Sequence, residues 1–118
     1  MGRTKAIEGE RARKAIRELE PLSDLAGVFA ALGSAPRLQL LYLLYNRPDL
    51  TVGEQAEILG LSISGVSMHL RRLREAELID CRRDGKTVCC CLAGRSRHVR
   101  VLRDIFRKIA EETGCCRL

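Results

Sequence analysis

Six cysteines are the residues of this chain best suited to chemistry, and they fall into two groups. One group is Cys81, Cys89, Cys90 and Cys91, and the other is Cys115 with Cys116. Neighbouring cysteines make poor disulfide partners, because their Cα atoms lie only about 3.8 Å apart, which is shorter than the distance of about 4.4–6.8 Å that is usual for a disulfide. Two adjacent thiolates can nevertheless bind one soft ion when a third ligand comes from elsewhere. Thiolate sets favour Zn(II) and other thiophilic ions, and trivalent arsenic suits three sulfurs.

The cysteine pair near residue 115 is the expected centre of such a site. Gly114 is predicted to end the last helix, which leaves Cys115 and Cys116 free to close over a neighbouring surface. We hypothesise that these two thiolates bind As(III), or alternatively Cd(II), Hg(II) or Zn(II). The remaining ligand would be Cys89 or Cys91, from the same subunit or from the other subunit of a dimer.

Residues 78–92 carry the other cysteines and are predicted to form a β-hairpin. Asp84 and Gly85 make a favoured two-residue turn between two β-rich runs. The pairs that follow from this turn are Cys81 with Val88 and Ile79 with Cys90. The second strand divides its side chains between two faces. The core face is expected to carry Val88, Cys90 and Leu92, and the opposite face Cys89 and Cys91. Cys90 is therefore interpreted as a small buried hydrophobic residue, while Cys81 receives no definite role.

Residues 51–76 precede the hairpin and indicate two short helices joined by a tight turn. Thr51 and Glu54 form a capping-box pattern at the start of the first helix, which Gly60 ends. Ser62 can cap the second helix. Apolar residues at helical spacing mark the buried faces: Val52, Ala56 and Leu59, then Val66, Leu70 and Leu73. A second helix that presents hydroxyls and cations outward can enter the major groove of DNA, so these segments with the hairpin predict a winged helix that binds DNA.

The segments before residue 51 are predicted to be helices that support this unit. Residues 1–20 form a charged N-terminal helix, which Pro21 ends before Ser23 caps the next one. That second helix has an expected core stripe of Leu25, Val28, Phe29 and Leu32. A third helix starts near Pro36 and is apolar almost all round, which predicts a central position.

A C-terminal helix over residues 96–113 is the predicted dimerisation element. Its Val99, Leu102, Phe106 and Ile109 recur every three or four residues, which is typical of a helix–helix interface. The same stripe could instead pack on its own domain. Residues 1–118 are expected to form a single winged-helix domain, mainly α with a small β-hairpin, that is a homodimer through its terminal helices.

Composition and charge narrow the classes of function. The formal net charge is +6, and residues 94–108 carry six basic groups against one acidic group. This excess favours duplex DNA as the partner, whereas two Tyr and two Phe are few for stacking on single strands. No apolar run approaches the roughly 18 residues of a membrane span, so a cytoplasmic location with no membrane partner is expected. No Cys-X-X-Cys pair, phosphate loop or carboxylate–histidine pair suggests an enzyme.

Several short motifs resemble the ArsR/SmtB family of metalloregulatory repressors. In family order they are residues 32–38, 58–62, 66–70, 73–76 and 83–86. The resemblance spans about residues 25–109 and implies a homodimeric winged-helix repressor that leaves its operator DNA when an inducer binds, often a thiophilic metal ion. The family's Cys-Val-Cys site is replaced here by Thr51, Val52 and Gly53, and its last-helix site is reduced to His98. Any metal must therefore be held elsewhere, which favours the cysteine set above.

The resemblance also implies which residues contact DNA. Family positions are matched by Ser64, Ser67 and His69 in the second helix and by Arg82, Arg83 and Lys86 in the wing. The expected DNA-binding set is completed by Ser62, Met68, Arg71 and Arg72. Ile63, Gly65 and Met68 stand where the family usually has polar side chains, so much of the affinity should come from phosphate contacts and depend steeply on salt.

Two other functions stay open at this point. A thiol redox or reactive-sulfur sensor would oxidise Cys81 or the pair Cys115 and Cys116, and the oxidation would loosen the DNA complex. A DNA-binding repressor or architectural protein with incidental cysteines would respond to neither metal nor oxidant.

Overall fold

The computed structural model describes residues 2–19 and 21–114. These residues form α1 (Gly2–Glu18), α2 (Pro21–Leu32), α3 (Ala35–Asn46), α4 (Val52–Leu59), α5 (Ile63–Glu75), β1 (Ile79–Asp84), β2 (Thr87–Leu92) and α6 (Arg97–Thr113). The winged helix predicted from the sequence is confirmed: α4 and α5 form the helix-turn-helix, and the antiparallel strands β1 and β2 form the wing.

The central element of the core is α3, as its apolar sequence predicts. Its Leu40, Leu41, Leu43 and Leu44 are buried, and the helix packs on α2, α4, α5 and β2. Pro36 lies in the first turn, after Ser34 in an extended conformation. Each fully buried leucine contributes about 1.5–3 kcal/mol relative to an exposed one, so the leucines of α3 contribute much of the stability of the core.

The first two helices differ in part from the expectation. α1 ends at Glu18, and α2 begins at Pro21, so that Ser23 lies inside α2 and does not cap it. Proline suits the first helical position because the N–H that it lacks would have no partner within the helix. Residues 8–19 are exposed apart from the half-buried Gly9, so this part of α1 lies outside the core.

The apolar stripes of α2 and α6 differ from the positions that their periodicity predicted, which were the core for α2 and a dimer interface for α6. Of the four residues of the expected α2 stripe, Val28 is buried, Leu25 and Leu32 are half-buried, and Phe29 is 63% exposed. In α6, Val99, Leu102 and Phe106 are buried within their own subunit, where Phe106 contacts the rings of Tyr42 and Tyr45. The expected dimer seam is therefore wrong for these three residues, because their helix face packs on its own domain, the alternative that the sequence left open.

A second apolar stripe of α6 faces solvent instead. It consists of Val101, Ile105 and Ile109, which are 59%, 47% and 52% exposed. The three residues recur every four positions, so they lie side by side along one face of the helix.

The wing has a different register from the one predicted. Cys81 pairs with Cys90 and Ile79 with Leu92, and the two-residue turn is Gly85-Lys86 rather than Asp84-Gly85. Gly85 has a positive φ of 64° and Lys86 does not, as required when glycine takes the first central position of a type II′ turn. A shift of the turn by one residue moves each pairing partner by two, so the face of each side chain on β2 is unchanged.

Within the described ranges, no single helix is long and apolar enough to cross a membrane. The segments Ser23–Leu32 and Ala35–Asn46 reach that length and hydropathy only together, and they are bent by 93° at the break between them.

Candidate DNA interface and thiol sites

The helix-turn-helix is fixed at its start by hydrogen bonds around Thr51. The Thr51 Oγ1 accepts from the Glu54 N–H at 3.2 Å, and Glu54 Oε1 accepts from the Thr51 N–H at 3.0 Å, which completes the predicted capping box. The Thr51 N–H and hydroxyl stabilise the charged carboxylate and so lower the pKa of Glu54. Gly60 ends α4 in the left-handed region, at φ 67°.

The loop before this cap is fixed by an ion pair. The Arg47 guanidinium meets the Asp49 carboxylate through two hydrogen bonds of 3.0 Å. The hydrogen bonds from Arg47 lower the pKa of Asp49. Both side chains are exposed, so the pair contributes little to stability, but it orders the chain just before α4.

The second helix, α5, presents a polar face to solvent and an apolar face to the core. Ser62 caps it by accepting from the Gly65 N–H at 3.0 Å. Val66, Leu70 and Leu73 are buried as predicted. This arrangement anchors one side of the helix and leaves the other side free to meet a partner.

Most of the expected DNA-contacting residues are exposed. On α5 and its cap the exposed members are Ser62, Ser64, Ser67, Met68, Arg71 and Arg72. His69 differs, because it is half-buried and its Nδ1 is buried with no hydrogen-bond partner among the described residues. His69 is therefore less accessible to DNA than the exposed members of the set, because it lies at the edge of the helix face that packs on the core.

The wing cations are also exposed. Arg82 and Arg83 lie on β1, and Lys86 lies in the turn. α5 packs directly on β1, so the wing cations and the polar face of α5 belong to one packed unit. Hydroxyls and cations on a helix beside a cationic hairpin are suited to base edges and phosphates of a DNA duplex.

The wing also brings two cysteines together. Cys81 and Cys90 lie directly opposite each other and form a disulfide, with Cα atoms 4.1 Å apart. Cys90 is 1% exposed, so its predicted burial is confirmed, whereas its bond to Cys81 was not predicted. The signal that would have revealed the pair is the Gly85-Lys86 turn, since that register places residues 81 and 90 opposite each other.

Cys89 and Cys91 lie on the other face of β2 and carry free thiols. Cys89 is half-buried and Cys91 is exposed. Cys89 also forms an isolated antiparallel bridge with Thr51, the capping residue of α4. No local sequence pattern indicates this bridge, which attaches the wing to the start of the helix-turn-helix.

The expected metal ligands are only partly within the described residues, since Cys115 and Cys116 lie outside them. Over residues 2–19 and 21–114, no group of three or more His, Cys, Asp or Glu is arranged to hold a metal ion. A site that uses Cys89 or Cys91 would need ligands from beyond that set.

Comparison with known proteins identifies relatives that are transcriptional regulators. A family model described as "Bacterial regulatory protein, arsR family" matches residues 35–80. The chain is 40% identical over 88 residues to the HTH-type transcriptional regulator KmtR of Mycobacterium tuberculosis, covering 70% of this chain and 65% of KmtR. It is 35% identical over 78 residues to the cadmium resistance transcriptional regulatory protein CadC homolog of Staphylococcus aureus, covering 66% and 64%. The matches thus span slightly less than two thirds of these two relatives.

The transcriptional activator HlyU of Vibrio cholerae matches over a larger share. It is 33% identical over 95 residues, covering 80% of this chain and 85% of HlyU. The structure of reduced HlyU superposes with a TM-score of 0.68 at 28% identity, covering 79% of this chain and 95% of that one.

A second solved structure is the homodimeric winged helix-turn-helix DNA-binding domain of Mb0332 from Mycobacterium bovis. It superposes with a TM-score of 0.67 at 29% identity and covers 81% of this chain and 86% of that one. The relatives are transcriptional regulators, in agreement with the expectation that the chain is not an enzyme. The motifs, the fold and the match to HlyU over most of both chains together establish that this chain belongs to the ArsR family of winged-helix transcriptional regulators.

Proposed function

We propose that this regulator is a cytoplasmic, homodimeric repressor that binds double-stranded operator DNA and is released when cysteine thiolates bind a thiophilic metal or metalloid ion. As(III) is the favoured inducer, with Cd(II), Hg(II) and Zn(II) as alternatives. The observation that carries the proposal is the bridge between Cys89 and Thr51, because it joins a thiol-bearing strand to the first residue of the helix-turn-helix.

The DNA-binding part of the proposal rests on α5 and the wing. The exposed face of α5 offers the hydroxyls of Ser64 and Ser67 and the guanidinium groups of Arg71 and Arg72. Met68 is 55% exposed on the same helix and can contact a thymine methyl group but cannot donate a hydrogen bond to a base. Phosphate contacts from Arg82, Arg83 and Lys86 would then supply much of the affinity.

The homodimer is supported by the exposed stripe of Val101, Ile105 and Ile109 on α6. An apolar stripe over more than two turns of a helix is costly to leave in water, and a second copy of the same helix would cover it. We infer that the partner lies on this face, rather than on the Val99, Leu102 and Phe106 face that the subunit itself buries.

The inducer site is proposed to include Cys115 and Cys116 with Cys89 or Cys91. Cys89 and Cys91 share one face of β2, so their Cα atoms are separated by two residues of strand, roughly 6.6 Å. Two thiolates from beyond residue 114 and one from this face make a three-sulfur set, which matches the preference of As(III). The ligands could come from one subunit or from both.

Release would follow from the attachment of Cys89. An ion that displaces Cys89 when it binds the thiol would also displace β2, the strand that bridges to Thr51. Binding would therefore act on the cap of α4. An ion shifts the equilibrium only if it binds one conformation better than the other. We propose that the metal-bound conformation holds β2 in a position in which α5 and the wing do not reach the duplex together.

A gel shift on the promoter of the chain's own gene tests this proposal. The expected result is a retarded complex that arsenite, and less effectively Cd(II), Hg(II) or Zn(II), releases. The variant Cys115→Ser with Cys116→Ser should bind the same DNA and no longer respond, while Cys81→Ser with Cys90→Ala serves as the control that still responds. If the variant lacking the two tail thiols is released as readily as the wild type, the assignment of ligands is wrong.

A thiol redox regulator is the second candidate function, and the disulfide between Cys81 and Cys90 favours it. In such a regulator an oxidant would change the DNA complex in the absence of metal. Adding peroxide to the same gel shift, with a chelator present, separates this function from metal sensing.

A further inference from the structure

We infer that Cys81 and Cys90 are a reversible dithiol–disulfide site that controls the order of the wing and thereby the affinity for DNA. The inference rests on DNA binding through the wing but does not depend on the proposed metal site, because Cys89 and Cys91 lie on the opposite face of the strand. Oxidants of the peroxide class would form the disulfide, and small thiols would reduce it.

The pair stands where the hairpin leaves the core. On the core side of it, Ile79 and Leu92 are 2% and 4% exposed. On the other side, Arg82 and Arg83 are exposed and lead to the turn. The base of the hairpin is supported by α3, α5 and the bridge between Cys89 and Thr51. Beyond that bridge the two-stranded ribbon of residues 83–88 is marginally stable, so the tip of the wing is the part of the hairpin that a cross-link can order.

The burial of the two sulfurs assigns their roles. Cys81 is half-buried and can meet a peroxide, whereas Cys90 is 1% exposed and faces the core. The Cys81 thiolate attacks one peroxide oxygen, the O–O bond breaks and hydroxide leaves, which gives a sulfenic acid on Cys81. The Cys90 thiol then attacks the Cys81 sulfur, the S–O bond breaks and water leaves. Two thiols and one peroxide thus give one disulfide and two waters. Two equivalents of a small thiol restore the two cysteine thiols through a mixed disulfide, and the small thiols leave as their own disulfide.

Oxidation is expected to strengthen DNA binding. The cross-link restrains the strands that carry Arg82 and Arg83, so that less conformational freedom is lost when these side chains bind phosphates. This direction is the reverse of the expectation from the sequence, in which oxidation loosens the complex. The reversal follows from the site of the bond, which joins strands already paired in register and leaves the core packing of the hairpin in place.

The test uses the full chain with Cys89, Cys91, Cys115 and Cys116 replaced by serine, so that only the wing pair can respond. Differential alkylation with mass spectrometry should show that Cys81 and Cys90 become linked after one equivalent of peroxide. Hydrogen exchange of amides 82–88 should slow by about tenfold on oxidation. Binding to a fluorescent duplex of the chain's own promoter should tighten by about three- to tenfold.

Matched controls separate this inference from the proposed function. The same chain with Cys81→Ala should show no response to peroxide in either exchange or affinity. If the substituted chain does not fold, the wild type is mapped and measured in the same way with a chelator present. The inference is overturned if peroxide leaves the pair reduced, leaves wing exchange unchanged, or leaves binding equal or weaker. A chain that binds DNA in neither state contradicts the DNA-binding function, while the exchange measurement still decides the effect of the bond on the wing.

Discussion

The backbone N–H of Gly65 donates to the Oγ of Ser62 at 3.0 Å, and a Cβ atom added at residue 65 would lie 3.0 Å from the same oxygen. The cap of α5 and the glycine beside it are therefore coupled. A side chain at residue 65 would make a tight contact with the Ser62 hydroxyl and displace it by a few tenths of an ångström from its position over the helix start.

A double-mutant cycle tests this coupling. Ser62→Ala should cost about 1 kcal/mol of stability, since it removes the N-cap. Gly65→Ala should give little or no net change in the wild type, because the gain in helix propensity of about 1 kcal/mol is offset by displacement of the Ser62 hydroxyl. In the Ser62→Ala background the same change should stabilise by most of that amount. Urea unfolding measures all four proteins, and additive effects would show that the two residues are not coupled.

Glu77 offers an opportunity to stabilise the protein. It follows α5 with a φ of 59°, a left-handed conformation that costs a side-chain-bearing residue roughly 1 kcal/mol or more. Glu77→Gly should therefore raise the free energy of unfolding by about 1 kcal/mol. Glu75→Gly makes the same change of charge inside the helix and should lower it by a similar amount. Thermal unfolding of both variants compares them, and a loss of stability in Glu77→Gly would contradict the prediction.

The wing cations should set the salt dependence of DNA binding. Arg82→Ala with Arg83→Ala removes two exposed cations, and each phosphate contact contributes about 0.9 to the slope of log affinity against log salt. The slope should fall by about 1.8 for each subunit that contacts DNA, and so by about 3.6 for the homodimer. Affinity should fall for specific and unrelated duplexes alike. Arg107→Ala with Lys108→Ala removes the same charge from α6 and is the control. Fluorescence anisotropy over a range of salt gives the slopes; equal slopes in wild type and wing variant would exclude these phosphate contacts.

The exposed stripe of α6 should hold the dimer together. Ile105→Lys places a charge in the middle of the stripe and should convert the dimer to monomer at micromolar concentration without loss of helical content. Ile58→Lys changes an apolar residue that is at least as exposed, 57% against 47%, on α4 and should leave the dimer intact. Sedimentation velocity reports the mass and circular dichroism the fold. A dimer that survives the change at residue 105 would place the interface elsewhere.

The capping box should make stability depend on pH through Glu54. Hydrogen bonds with Thr51 lower the pKa of Glu54 below its ordinary value of 4.5. The folded state thus binds the proton less readily than the unfolded state, and the stabilisation is present above the unfolded pKa and lost as the pH falls through the lowered folded pKa. Glu54→Gln keeps an acceptor but cannot titrate. The difference in unfolding free energy between wild type and this variant should shrink as the pH falls below about 4.5; a constant difference would contradict the assignment.

Local signals made the helix-turn-helix predictable. Thr51 with Glu54, Gly60 and Ser62 determine where α4 and α5 begin and end through hydrogen bonds within a few residues. Val66, Leu70 and Leu73 then orient α5 on the core. Each of these features depends on nearby sequence, so spacing and residue type were sufficient.

Features that depend on tertiary contacts were harder to predict. The periodicity of Val99, Leu102 and Phe106 shows that the face is buried but not whether its own subunit or a second copy buries it. Phe29 fits a helical stripe, yet its side chain on α2 is 63% exposed. The bond between Cys81 and Cys90 was missed because the choice between two glycine-containing turns decides every pair in the hairpin.

The bridge between Cys89 and Thr51 has a mechanical consequence for operator choice. Since the wing is attached to the start of the helix-turn-helix, we expect the hairpin and α5 to move together when the protein binds different duplexes. The spacing between the DNA contacts of α5 and those of the wing would then be set by the protein. The duplex would have to bend or twist to match that spacing. Sequences that deform easily between those contact points would be preferred at base pairs that no side chain touches.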